Sequence, residues 1–98
     1  MRILIAEDDV ANRRFLMKLL EKYGDITTVE DGMAAVDTFV GAINRGTPYD
    51  LVCLDIMMPR IDGYKALEAL RDAERKFKIT NKAKVIMISA LDEVGLSS

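Results

Sequence analysis

Two hydrophobic periods alternate along the chain: short runs that are apolar throughout, and longer segments whose apolar residues return every three or four positions. Residues 2–6, Arg2 followed by Ile3-Leu4-Ile5-Ala6, form the first short run and fit a buried strand. From residue 10 to about 22, Phe15, Leu16, Leu19, Leu20 and Tyr23 recur at helical spacing, and Gly24 supplies a stop. Residues 25–30 are rich in β-branched side chains (Ile26, Thr27, Thr28, Val29), the composition of a strand. Asp31-Gly32 is a turn signal, after which Val36, Phe39, Val40 and Ile43 mark one face of a second helix. A loop over residues 44–48 leads to a second wholly apolar run, residues 51–54, which ends at Asp55. Beyond a loop from Pro59 to Gly63, the residues Tyr64, Leu67, Leu70 and Ala73 mark a third helix. A polar connection over 78–83 leads to a last apolar run, residues 85–88, which ends in Ser89 and Ala90. Residues 91–98 begin a helix with no room to complete it.

The predicted order is therefore β-α-β-α-β-α-β and a stub. Strands that alternate with helices argue for an α/β fold with a parallel sheet and right-handed crossovers. The first, third and fourth runs suit strands buried on both faces. There are no internal repeats, no low-complexity segments and no sign of a second domain, so residues 1–98 are read as one domain. At 98 residues it stands near the lower end of what buries a good core.

Composition narrows the chemistry mainly by exclusion. The formal net charge is −2 and both signs are mixed along the chain, so there is no electrostatic footprint for nucleic acid and no polybasic segment for a membrane surface. Apolar runs of a few residues are far short of a membrane span, and the start lacks the longer apolar region of a secretory signal. Cys53 is the one cysteine and lies inside an apolar run, which reads as a buried, inert thiol in a reducing cytoplasm. With no histidine and one cysteine, a zinc site or a Cys/His nucleophile pair is excluded.

In an open parallel sheet, ligands bind outside the carboxyl ends of the strands. The residues that end the apolar runs are Glu7, Asp8 and Asp9, then Asp55, then Ser89, and a parallel sheet brings all of them to one edge. Carboxylates gathered in one crevice repel each other, so they need a cation or a shared proton. Oxygen ligands with room for water suit Mg²⁺ better than a transition metal. A carboxylate at such a site can itself attack phosphorus to form an aspartyl phosphate. Each acid taken alone reads equally well as a helix cap, and Asp9, just ahead of Val10, is well placed for that role. It is the coincidence at three strand ends that argues for a site.

Here the residues resemble a known family. Ile3-Leu4-Ile5-Ala6-Glu7-Asp8-Asp9, then Arg13 and the Leu16/Leu20 spacing, resembles the opening of response-regulator receiver domains of two-component signalling (CheY-like). Asp55-Ile56-Met57-Met58-Pro59-Arg60-Ile61-Asp62-Gly63 is similar to the family's phosphoacceptor loop almost letter for letter, and Val85-Ile86-Met87-Ile88-Ser89-Ala90 to its fourth strand. The resemblance implies a flavodoxin-like, doubly wound parallel sheet in the order 2-1-3-4, known from doubly wound folds of this kind. It implies Asp55 as phosphoacceptor, Asp8 as direct Mg²⁺ ligand, Glu7 at the other acidic position, and the Met57 backbone carbonyl as a further metal ligand. Ser89 would donate its hydroxyl to a phosphoryl oxygen and act as the switch. Pro59 and Gly63 would shape the loop. The donor would be the phosphohistidine of a sensor histidine kinase or phosphotransfer protein, and the domain would catalyse its own phosphorylation and dephosphorylation in the cytoplasm.

The sequence also departs from the family. A completed fourth helix, the fifth strand with its lysine, and the fifth helix are absent, so the chain is expected to be an incomplete receiver. Without the lysine, a charge-assisted contact to the phosphoryl group is lost. The outer edge of the fourth strand is expected to lie open and to favour a homodimer or exchange of elements between chains. The alternative to a signalling module is a fragment that keeps the fold and acts only in binding or self-assembly. A haloacid-dehalogenase-type phosphatase needs a second acid two residues after the first, where this chain has Met57. A flavin-binding module needs a phosphate-cradling loop where Glu7-Asp8-Asp9 would repel the phosphate.

Overall fold

Strand and helix alternate as the two hydrophobic periods require. The structure, a computed structural model, describes residues 1–88. It runs β1 (Arg2–Ala6), α1 (Val10–Leu20), a 3-10 turn (Glu21–Tyr23), β2 (Asp25–Val29), α2 (Gly32–Asn44), β3 (Leu51–Asp55), α3 (Gly63–Lys76) and β4 (Lys84–Ile88). Ser89 and the helix start expected over 91–98 lie outside the described residues. Each helix opens on an aspartate whose carboxylate accepts a backbone N–H three residues on: Asp9 from Asn12, Asp31 from Ala34 and Asp62 from Lys65, at 2.8–2.9 Å. Such a cap satisfies a donor that has no partner inside the helix.

The four strands are parallel in the order β2-β1-β3-β4, the flavodoxin-like arrangement. Strand order reverses between β1 and β3, which is where such sheets open a crevice. Ala6 is in register with Leu54, so Glu7 and Asp55 leave the sheet side by side at that crevice.

Alternation along the strands divides the core in two. Leu4, Ala6, Val52 and Leu54 pack with Ala35, Phe39 and Ala42 of α2 and with Ala66 and Leu70 of α3. Ile3, Ile5 and Cys53 face the other way, under Leu16 and Leu20 of α1. Of the five residues expected at helical spacing, Phe15 and Leu19 of α1 and Tyr23 of the 3-10 turn are exposed, and only Leu16 and Leu20 reach the sheet. On α2 and α3 the deepest contacts include Ala35, Ala42 and Ala66, which the apolar pattern did not mark, and Ala73, which it did, while Tyr64 is exposed. Short alanine side chains let the helices lie close to the sheet.

β4 is a correction to the reading of a strand buried on both faces. Its residues are half-buried or exposed, Ile86 among the latter at 48%. The physical reason is position: β4 is the outer strand of the described sheet, and α1 lies over β1 and β2 instead. Its start is held by a buried carboxylate. Glu74 accepts from Arg71 at 2.7 Å and from the backbone N–H of Ala83 at 2.8 Å, and Arg71 also donates to the Ala83 carbonyl.

Candidate functional site

The end of β1 delivers Glu7 and Asp8, and the end of β3 delivers Asp55. One carboxylate oxygen from each of the three lies within 4.8 Å of the other two, the geometry of a cation site. Glu7 and Asp55 are buried, whereas Asp8 is exposed at the mouth. Both buried acids continue the alternation of Ile3, Ile5 and Cys53, so they are drawn under the surface by the strands that carry them.

The partners of these acids are few. Glu7 Oε2 accepts the backbone N–H of Asp9 at 3.1 Å, and its Oε1 is buried with no hydrogen-bond partner among the described residues. Asp55 Oδ1 accepts the backbone N–H of Met57 at 3.1 Å. Burial pushes the Glu7 carboxyl up to about 7; the Asp9 N–H works against this, and the carboxylates of Asp55 and Asp8 add to it. A buried, unpartnered carboxylate oxygen facing two more acids fits a hard divalent cation, whose charge would remove both the repulsion and the vacancy in hydrogen bonding. Glu7, Asp8 and Asp55 are the residues that would hold it.

The loop after Asp55 is shaped by close approach. Gly63 opens α3, and a Cβ there would stand 2.6 Å from the Asp55 carbonyl oxygen and 2.9 Å from Ile56 Cα. Its N–H closes the loop onto the Ile56 carbonyl at 3.0 Å. The Met57 side chain is exposed. Asp9 belongs to the helix cap and not to the cluster. Ser89 lies outside the described residues. Cys53 is a buried free thiol pushed up to about 11 by burial, which makes it inert. Among the described residues no helix is long and apolar enough to cross a membrane.

Sequence reasoning missed what braces the acids. Arg13 donates to the Glu7 carbonyl at 3.1 Å, and Glu7 N–H donates to the Val29 carbonyl at 3.0 Å. Arg13 stood in the pattern only as a spacing mark. Nothing in the linear order showed that it would turn back six residues to the strand end.

Comparison with known proteins identifies the family and the fold. The model of the response regulator receiver domain matches residues 3–96. The response regulator receiver protein CpdR of Brucella abortus is 35% identical over 97 residues, covering 98% of this chain and 72% of that protein. Hybrid signal transduction histidine kinase I of Dictyostelium discoideum is 38% identical over 74 residues, which is 74% of this chain. The chain spans only 4% of that kinase's length. Among solved structures, the CheX–CheY–BeF₃–Mg²⁺ complex from Borrelia burgdorferi matches with a TM-score of 0.73 and 32% identity, over 98% of this chain and 66% of that one. The receiver domain of the histidine kinase CKI1 from Arabidopsis thaliana, complexed with Mg²⁺ and BeF₃⁻, shares the fold at a TM-score of 0.77 with 23% identity, over 90% of this chain and 64% of that one.

Proposed function

The chain belongs to the response regulator receiver domain family, and from that premise we propose that it is a phosphoryl-accepting module of a two-component system, working in the cytoplasm with Mg²⁺ beside Asp55. The observation that carries this reading is the convergence of Glu7, Asp8 and Asp55, with Glu7 Oε1 buried and without a partner among the described residues. The similar CheY complex was solved with BeF₃ and Mg²⁺, which supports the same chemistry here. Glu7 and Asp8, with the Met57 carbonyl, hold the metal; Asp55 is both ligand and nucleophile. A bound Mg²⁺ supplies charge neutralisation for the transferring group.

In the transfer, an Asp55 oxygen forms a bond to phosphorus as the bond to the imidazole nitrogen of a partner phosphohistidine breaks. The partner is a sensor histidine kinase or a phosphotransfer protein, and the freed imidazole keeps the electron pair. The Met57 N–H orients the Asp55 carboxylate for in-line attack. Ser89 donates to a phosphoryl oxygen, and its movement passes the change to a distant surface.

The test is to follow amide signals around Asp8 and Asp55 by NMR as Mg²⁺ and then beryllofluoride are added. Saturable shifts that Asp55→Asn weakens, with a further change on beryllofluoride, are expected. A well-dispersed spectrum with no response to either would sink the proposal and leave a binding fragment.

A second reading, self-association with another copy through β4, is favoured by its place as the outer described strand and by the half-exposed Ile86. An open apolar edge is a template for pairing. Light scattering over a concentration series tests it, and a monomer throughout rejects it.

A further inference from the structure

The turn between β2 and α2 carries two adjacent acids: Glu30 meets Arg13, on α1 but bonded back to the strand end at Glu7, and Asp31 meets Arg60, in the loop after Asp55. Arg60, in the loop after Asp55, stands 3.4 Å from Asp31. Arg13, which donates to the Glu7 carbonyl, stands 3.9 Å from Glu30. Asp31 divides its carboxylate: Oδ1 caps α2 and Oδ2 faces Arg60.

Backbone contacts run along the same lines. Arg60 has φ of 72°, in the left-handed region that favours glycine, so the loop is held at a conformation arginine does not choose. The next residue, Ile61, lies on the turn itself. A Cβ on Gly32 would stand 2.4 Å from the Ile61 carbonyl oxygen and 2.5 Å from its Cγ1. On the other side, the Glu7 N–H to Val29 carbonyl bond ties the β1 loop to the end of β2.

We propose that Glu30-Asp31-Gly32 is a bracket that sets the separation of the two acid-bearing loops, with Arg13 and Arg60 as positioning residues for metal binding and phosphoryl transfer. The inference rests on the phosphoryl-accepting reading above. Neither arginine needs to touch the metal or the phosphoryl group. Each acts through the loop that it anchors.

Charge gives the test its sign. Arg13→Gln and Arg60→Gln each remove a positive charge near a cation site, so electrostatics alone would tighten Mg²⁺ binding. Loss of the bracket weakens it. With the whole chain titrated with Mg²⁺ and read at the Asp8 and Asp55 amides, each variant is expected to bind about two- to fivefold more weakly, the scale an exposed ion pair supports. Arg60→Lys, which keeps the charge, is expected to stay close to the unaltered chain. Unchanged or tighter binding in both glutamine variants overturns the bracket.

Amide exchange without metal provides the independent readout. The Asp9 and Met57 amides, bonded to Glu7 and Asp55, are expected to exchange several-fold faster in the glutamine variants. Identical rates overturn the bracket. If the unaltered chain shows no saturable Mg²⁺ response, the phosphoryl-accepting reading fails and these exchange rates decide the bracket alone. Should an arginine variant unfold, Asp31→Asn keeps the helix cap and weakens the pair, and the same exchange comparison applies.

Discussion

On the side of α2 and α3, Leu4, Ala6, Val52 and Leu54 are enclosed by two helices; on the side of α1, Ile3, Ile5 and Cys53 lie under the one helix that the described residues place there. The strands contribute similar aliphatic residues to both. Val85 and Ile86 are neighbours in sequence, yet Val85 packs against the larger core and Ile86 is 48% exposed. Hydrophobicity therefore says which residues seek cover, and the number of helices over each face says which find it. Apolar surface contributes to stability only when water is removed from it.

The sharpest test of that difference pairs two phenylalanines. Phe39, on α2, is 2% exposed, whereas Phe15, on α1, is 65% exposed. Phe39→Ala is expected to cost about 3–5 kcal/mol in urea unfolding. Phe15→Ala is expected to stay within ~0.5 kcal/mol, as surface changes do. Equal losses would break the comparison, because they would mean that α1 buries its outer stripe in solution.

A smaller effect is expected at two carboxylates of α3. Glu74 is buried and serves Arg71 and the Ala83 N–H, so Glu74→Ala leaves a backbone donor without a partner at a cost of about 1–3 kcal/mol. Asp72 pairs with Arg75 on the exposed side of the same helix, and Asp72→Ala is expected to be close to neutral. A substantial loss at Asp72 would show that exposure is a poor guide to energy in this helix.

A further effect is expected in pH dependence, at Glu7, where the sheet meets the crevice. Glu7 has an ordinary value of 4.5 and is pushed up to about 7 by burial. The folded chain thus holds the proton more tightly than the unfolded chain between these values. The contribution of Glu7 to metal-free stability is full below 4.5 and is lost as pH rises through about 7. Urea midpoints in the presence of a chelator should decline over that window, and Glu7→Gln should flatten the decline. Mg²⁺ should restore stability at the upper end. A midpoint that rises with pH across the window would show that Glu7 is not held protonated by its surroundings.

Much of the fold was legible because parallel α/β topology writes itself into hydrophobic period. The apolar runs at 2–6, 51–54 and 85–88 mark β1, β3 and β4 to within a residue, since strands buried in a sheet tolerate few polar side chains. Helix boundaries were legible at the start, where Asp9 and Asp31 precede their helices, and less so at the end of α1, which tightens into a 3-10 turn at Glu21. Ala35, Ala42 and Ala66 were not marked, because alanine carries too little hydrophobicity to show a face. The acids at the crevice were legible because each ends an apolar run. Arg60 and Asp31, 29 positions apart in number, gave no signal of their pairing.

Sequence alone determined the order of strands and helices, the chemical identity of Glu7, Asp8 and Asp55, and the aspartates that start the helices, because these depend on neighbours within a few residues. Tertiary structure decided which apolar residues are covered, that Glu7 is buried with an oxygen unpartnered among the described residues, and that one turn pairs with Arg13 of α1 and with Arg60 of the loop after Asp55. Burial and charge proximity are properties of surfaces brought together across the sheet. They depend on distances in space that no local pattern encodes.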